Sequence, residues 1–267
     1  DGDGGFGPDG DQDIIKCGSY TGSGSSGLEV DFGFEPQFVL IKNTSGSSTS
    51  WMLFDSMRGM TVNGVNTGNR FLQANTGAPE YDYHDDYYSA GSFDVTLTGI
   101  KMTGNESVLN GGGQNYIYMA IRRGSLFPPE SATDVFEAAY QNTVGTEPGW
   151  TSGFPVDMVI DSNTGGGSTD NRTISSRLTQ GRYLSLDQTH QEYAWTTGYA
   201  MDYMDGWRES ANNGPSDSGW MWKRAPGFFD VVTYTNTGNY AAQPHNLGVV
   251  PELVIMKRRS GYVGMGW

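Results

Sequence analysis

The sequence predicts an all-β fold built from tandem β-sandwich or jelly-roll-like domains joined by short proline-containing linkers. Glycine supplies 39 of the 267 residues and charged residues only 17%, against 13% aromatic. With so much Ser, Thr, Tyr and Val, that balance favours short strands and turns over helices. The apolar segments are of strand length, and they either alternate with polar residues or run unbroken over a few positions. A glycine-led strand then returns along the chain. It reads Gly33-Phe34-Glu35-Pro36-Gln37-Phe38-Val39-Leu40-Ile41-Lys42, then Gly153-Phe154-Pro155-Val156-Asp157-Met158-Val159-Ile160, taken as one residue shorter, then Gly248-Val249-Val250-Pro251-Glu252-Leu253-Val254-Ile255-Met256-Lys257. Repetition at a period of about one hundred residues means tandem domains.

Residues 1–12 read as a Gly/Asp-rich loop, and a first domain is expected over 13–124. Its strands are expected at 13–20, 28–32, 37–42, 51–55, 70–74, 92–97, 100–103 and 116–123, each bounded by Gly, Asn or Ser turns. So many short strands describe a two-sheet stack. Leu28-Glu29-Val30-Asp31-Phe32 alternates as a half-buried strand does, whereas Phe38-Val39-Leu40-Ile41 is apolar on both faces and predicts a strand covered on both sides. Residues 125–133, with Pro128-Pro129, form a stiff linker because proline fixes φ and cannot continue a ladder.

A second, divergent domain is expected over 134–224. Ser56, Arg58 and Arg70-Phe71-Leu72 find counterparts in Ser175, Arg177 and Arg182-Tyr183-Leu184. Each domain closes on an aromatic strand with paired basic residues, Tyr116-Ile117-Tyr118 with Arg122-Arg123 and Trp220-Met221-Trp222 with Lys223-Arg224. Ala225-Pro226-Gly227 joins the start of a third, incomplete copy at 228–267, and so short a junction predicts domains stacked as a semi-rigid rod. Both ends read as cuts from a longer protein.

The formal net charge of −14 repels a phosphate backbone, so nucleic acid is not an expected partner. Cys17 is the single cysteine, which leaves no intrachain disulfide or multi-cysteine zinc cluster. No apolar run approaches the roughly 18 residues of a membrane helix, so membrane insertion is not expected.

Few motifs carry chemistry. Gly22-Ser23-Gly24-Ser25-Ser26-Gly27 has the spacing of a dinucleotide fingerprint, but a strand follows where a helix N-terminus would have to receive the pyrophosphate, so it reads as a hairpin turn. Phosphate-loop, H-E-x-x-H and G-x-S-x-G patterns are absent, and neither an enzyme activity, a cofactor nor a metal is expected. Asp1, Asp3, Asp9, Asp11 and Asp13 could wrap calcium, yet they lack the twelfth-position glutamate and read as a solvated turn.

Tyr81, Asp82, Tyr83, His84, Asp85, Asp86, Tyr87 and Tyr88 form the densest polar-aromatic cluster. Tyrosine faces beside carboxylates suit a sugar ring and its hydroxyls, which makes this stretch the ligand-binding candidate; the competing reading is a loop packed on a neighbour. Tyr193, Trp195, Tyr199, Met201 and Tyr203 sit at odd positions, hence on one face of an extended segment, with Trp207 ending the run. They are interface candidates, with the core as the alternative. His190 and His245 have no partner legible in the sequence.

The segments Asp13-Ile14-Ile15-Lys16-Cys17-Gly18-Ser19-Tyr20-Thr21-Gly22, Gly33 to Lys42, Leu53-Phe54-Asp55-Ser56-Met57-Arg58-Gly59 and Tyr116-Ile117-Tyr118-Met119-Ala120-Ile121-Arg122-Arg123-Gly124 resemble repeated domains in virion structural proteins of tailed bacteriophages, of the tail-fibre or tail-tip type. Ala225-Pro226-Gly227-Phe228-Phe229-Asp230-Val231-Val232-Thr233-Tyr234-Thr235 continues the likeness. The second domain departs from it, lacking Phe-Asp-Ser-x-Arg-Gly. The resemblance implies a non-enzymatic component on the exterior of a phage particle, bound to other virion subunits and oligomeric, a trimer being the usual fibre arrangement. It also implies possible contact with host surface glycan. A carbohydrate-binding adhesin, a capsid decoration or head fibre, and a polysaccharide depolymerase are the alternatives.

Overall fold

In a computed structural model the chain is described over residues 6–7, 9–46, 49–62, 69–82, 92–124, 126–142, 146–162, 172–179, 181–194, 199–209, 217–236, 238–239 and 241–260. It is all-β. The only helical pieces among the described residues are short 3-10 turns, one of them at Ala132–Asp134 in the expected linker, where Ser131 and Asp134 cap each other's backbone. No helix among the described residues is long and apolar enough to cross a membrane. The chain divides into two compact units, Asp1–Leu126 with Thr235–Pro244, and Phe127–Tyr234 with His245–Trp267.

In the first unit all eight expected strands form: β1 (Ile15–Thr21), β2 (Glu29–Asp31), β3 (Pro36–Asn43), β4 (Trp51–Asp55), β5 (Arg70–Gln73), β7 (Phe93–Val95), β8 (Gly99–Met102) and β9 (Asn115–Arg122). A further strand, β6 (Tyr81–Asp82), is a two-residue edge strand too short to show a period in the sequence. One sheet runs β1-β9-β3-β4-β5-β6 and the other β2-β8-β7, all antiparallel. The inward alternates Val39, Ile41, Met52, Phe54, Phe71, Tyr116 and Tyr118 of the large sheet pack against Val30, Ile100, Met102 and Phe93 of the small one in a single core. Phe54 meets Phe93 edge-on at 4.8 Å and Tyr20 stacks on Tyr116 at 4.8 Å.

The second unit repeats this plan. Its strands are β10 (Phe136–Tyr140), β11 (Trp150–Thr151), β12 (Met158–Ser162), β13 (Arg172–Ser176), β14 (Arg182–Ser185), β15 (Tyr193–Ala194), β16 (Tyr199–Ala200), β17 (Gly206–Glu209) and β18 (Ser218–Trp222). They assemble as β10-β18-β12-β13-β14-β15 and β11-β17-β16, the order of the first unit strand for strand. Ladder register then equates individual positions. Val39 pairs with Phe54 and Ala120, and Val159 with Ser175 and Met221. Counted back from Val39 and Val159, Gly33 and Gly153 both turn through a φ of 80° at equal distance, so the second copy is not one residue shorter. Two sequence matches also move. Ser175 stands where Phe54 does. Arg177 stands where Ser56 does, since Arg177 N donates to Asp157 O (2.8 Å) as Ser56 N donates to Gln37 O (2.9 Å).

One close approach is common to both units. A Cβ on Gly99 would lie 2.0 Å from the carbonyl oxygen of Val30, and one on Gly206 would lie 2.0 Å from that of Trp150. Glycine is required there because the paired strands, β2 with β8 and β11 with β17, bring backbone to within less than a Cβ contact.

Two expectations meet a different structure. The expected strand of the third copy carries no ladder: Val250 is 87% exposed and Leu253 75%. A β3-type strand is held between β9-type and β4-type neighbours, and none pairs with it among the described residues. Nearby chain instead lies on the edge of the second unit, where Arg259 pairs with Glu192 (2.9 Å) and Lys257 donates to Gln188 O (2.6 Å). The apolar strand β3 is also not covered on both faces. Val39 and Ile41 are wholly buried, while Phe38 and Leu40 on the opposite face keep partial exposure.

Candidate functional site

The second unit keeps the scaffold and changes what fills it. On the large sheet, register places Asp161 at the position of Ile41, Thr173 at Met52, Ser175 at Phe54, Gly219 at Tyr118 and Asp217 at Tyr116. On the small sheet, Trp150 and Trp207 take the positions of Val30 and Ile100, and Glu209 that of Met102. Volume removed from one sheet is returned by the other. Trp150 and Trp207 stack at 4.6 Å over Gly219, whose absent Cβ would lie 3.1 Å from Trp150 Cδ1. The edge strand follows suit: Gly18 is forced by Tyr118, whose hydroxyl would sit 2.5 Å from a Cβ, whereas its counterpart opposite Gly219 is Ala139.

Three carboxylates, Asp161, Asp217 and Glu209, are thereby buried inside the sandwich. The Thr173 hydroxyl donates to Asp161 across the ladder. Burial pushes the Asp161 carboxyl up to about 7, opposed by the Thr173 hydrogen bond and its own backbone amide and reinforced by the charge of Asp217. Burial likewise raises the Tyr183 phenol, with Tyr193, Glu209 and Asp161 adding. Among the described residues no group of three His, Cys, Asp or Glu side chains is arranged to hold a metal ion. A buried acid that stays protonated near neutrality can hold or release one proton, and Asp161 is the group placed to do so.

Beside this core, a buried ionic network ties strand ends together. Arg177 donates to Met201 O, to Val156 O (2.5 Å) and toward Asp157 (3.4 Å). Asp157 also accepts from Arg224 N (2.8 Å), and Arg224 pairs with Asp230 (2.8 Å). In the first unit the Phe-Asp-Ser-x-Arg-Gly corner is tied in a similar way. Asp55 accepts from Met57 N and Arg58 N and binds the Arg58 side chain at 2.7 Å, and Arg58 reaches Glu80 at 3.2 Å. That motif is a turn clamp.

The candidates read from sequence do not come together as one surface. Tyr81 is half-buried on β6 and packs 5.5 Å from Phe71 against the first core. Tyr83, His84, Asp85, Asp86, Tyr87 and Tyr88 lie outside the described residues, as does Trp195. Tyr193 stacks on Tyr183 at 5.5 Å with His190 edge-on at 5.6 Å, and remains 37% exposed. Tyr199 belongs to β16, a strand of the other sheet, so 193–203 is not one extended face. Tyr203 donates its hydroxyl to Glu147, which also pairs with Arg208 (3.4 Å); burial and then that carboxylate push the Tyr203 phenol to about 12. Trp207 is fully buried and is no interface residue. Odd spacing misleads here because β15 and β16 belong to different sheets, so the side-chain phase of one does not carry over to the other. Asp161, Asp217 and Glu209 carry no signal in the sequence, since isolated acids in strands look like outward polar positions until register turns them inward.

Residues 12–123, spanning β1 to β9, match a family described as a domain of unknown function (DUF7483). No curated protein and no solved structure matches the chain.

Proposed function

We propose that this chain is a non-enzymatic structural component of a tailed-bacteriophage particle, of the tail-fibre or tail-tip type, contacting other virion subunits on the particle exterior. The observation that carries the proposal is the duplication itself. One chain builds the same sandwich twice, with identical strand order and a shared close glycine contact at Gly99 and Gly206, while many core positions are exchanged and others, Val39 with Val159 and Phe34 with Phe154, are kept. Selection for a repeated framework with free interior chemistry suits a spacer or an assembling module better than a catalyst, whose site must be held in one geometry. The acidic balance of −14 agrees with a surface that does not adhere to nucleic acid. Peptide mass spectrometry on density-purified particles tests the reading. Stoichiometric recovery of the chain with the particles is expected, and recovery only from the particle-free lysate would overturn it. A map of the assembled particle separates tail from head placement.

A carbohydrate-binding role is the second reading, favoured by the half-exposed Tyr193 ring stacked on Tyr183. It predicts glycan binding that Tyr193→Ala abolishes; a glycan array without signal removes it.

A further inference from the structure

Both six-stranded sheets end on a carboxylate that receives two guanidinium groups, but the two units draw the second guanidinium from different places. Ladder register equates Arg70 with Arg182, Tyr81 with Tyr193 and hence Glu80 with Glu192, the residue just before each edge strand. The tyrosines keep their surroundings as well, Tyr81 packing on Phe71 and Tyr193 on Tyr183, each at 5.5 Å. In the first unit Glu80 binds Arg70 at 3.1 Å and Arg58, from the turn clamp, at 3.2 Å. In the second unit Arg182 keeps its contact, with Glu192, at 3.6 Å. The place of Arg58 is taken by Thr179, counted on from Arg177 at that of Ser56, and the Thr179 hydroxyl pairs with Ser176. Arg259 supplies the second guanidinium instead, from 67 residues along the chain. It closes on both carboxylate oxygens of Glu192, Nε on Oε1 and Nη2 on Oε2, each at 2.9 Å. The main chain follows: Glu192 N donates to Arg259 O (2.8 Å), and two residues earlier the Lys257 amine donates to Gln188 O (2.6 Å).

We propose that residues 188–192 form a docking site for an extended basic segment of the form Lys-x-Arg, and that its occupant in this chain is the segment 257–259. Arginine is selected by its planar fork, which meets both Glu192 oxygens where the point charge of an ammonium meets one. Burial raises the need for that fork. The Glu192 side chain is 4% exposed against 31% for Glu80, and a carboxylate so enclosed requires close compensation, which Arg182 at 3.6 Å gives less well than Arg259 at 2.9 Å. The backbone bond from Glu192 to Arg259 lies at the start of β15, the last strand of its sheet, so the segment enters as an added strand does at an open edge. A basic occupant also suits a chain of net charge −14. Lys257 is the last residue of the third glycine-led segment, and its counterpart Lys42 pairs in a ladder with Trp51 and Ile117. Docking anchors that segment to the second unit by its end.

Hydrogen exchange on the full chain tests the site. In the double variant Lys257→Ala/Arg259→Ala the Glu192 amide loses its acceptor, and exchange in a peptide spanning 188–194 is expected to speed at least about 10-fold, with circular dichroism checking that the fold is kept. A tethered occupant acts at an effective concentration of about 1 mM, so the synthetic peptide Met256-Lys257-Arg258-Arg259-Ser260 is added to the double variant at about 5 mM. It should restore most of the lost protection. The same peptide with lysine in place of Arg259, equal in charge, should restore little, and Glu192→Gln added to the double variant should abolish the restoration. Equal exchange at 188–194 in wild type and double variant overturns the proposal, because the segment then does not cover the edge. Protection restored alike by both peptides, or surviving Glu192→Gln, overturns it as general attraction of basic peptides to an acidic chain. Protection restored by neither peptide overturns it as a contact that exists only through the tether.

Discussion

Substituting alanine for Gly206 tests the whole register argument at one atom. The added Cβ would stand 2.0 Å from the carbonyl oxygen of Trp150 and about 2.8 Å from Pro148 Cγ. Relief requires the β11-β17 pair to part by roughly 1 Å or more, because Cβ atoms do not approach backbone oxygen that closely. The Trp150–Trp207 stack rides on those two strands, so the core opens with them. One or two unmet backbone hydrogen bonds at about 1–3 kcal/mol each, with about 1–3 kcal/mol for displaced packing, give a loss of about 2–9 kcal/mol, about 5 kcal/mol at mid-range. With a guanidinium slope of roughly 3 kcal/mol per M for a unit of this size, the midpoint falls by about 1 M or more. Tryptophan fluorescence reads this unit selectively, because Trp150, Trp195, Trp207, Trp220 and Trp222 are five of the seven tryptophans. Gly99→Ala is the internal counterpart. It should leave most of that signal in place and weaken hydrogen-exchange protection in peptides covering β2, β7 and β8. If both alanine variants unfold within about 0.5 kcal/mol of wild type, the paired strands β2-β8 and β11-β17 do not approach as described and the duplicated register is wrong.

Arg177→Ala should cost about 3–5 kcal/mol in the second unit, since it strips a buried cation from Asp157 and from two backbone carbonyls; a fluorescence midpoint within error of wild type would contradict the network. Phe54→Ala should cost about 3–5 kcal/mol in the first unit through loss of contacts with Phe71 and Phe93, seen as lost exchange protection in β3 and β4 with little change in tryptophan emission. The pH response of the second unit should carry the mark of Asp161. Its carboxyl binds a proton up to about 7 when folded but only to about 3.8 when unfolded, so the unfolded chain is favoured by ionisation as pH rises between those values. The Asp161 contribution to stability is therefore complete below about pH 4 and lost as pH rises through about 7. Subtracting the pH profile of Asp161→Asn from that of wild type should leave this downward slope, and a flat difference would show that the carboxyl titrates normally.

Much of the first unit is legible in the sequence because its strands obey a two-residue period with turn residues at their ends. Leu28 to Phe32 alternates, Trp51 to Asp55 has the same bounds in sequence and structure, and the glycine before each long strand marks the repeat. The candidate site is barely legible. Asp161 and Asp217 are single letters among Ser, Gly and Asn, and nothing local distinguishes an acid facing water from one facing Trp150 and Trp207. The aromatic run from Tyr193 to Trp207 reads as one face, but it is divided between two sheets and a core.

The sequence by itself determined the all-β class, the tandem arrangement and the strands of the first unit, because composition, alternation and turn chemistry act over neighbouring residues. Tertiary structure decided which alternate of each strand faces inward and which residue of one copy answers to which of the other. It also revealed that one scaffold holds an apolar core in the first unit and a core with buried carboxylates in the second. Those properties depend on cross-strand register over separations of up to about a hundred residues, and a one-residue slip in register exchanges interior for surface.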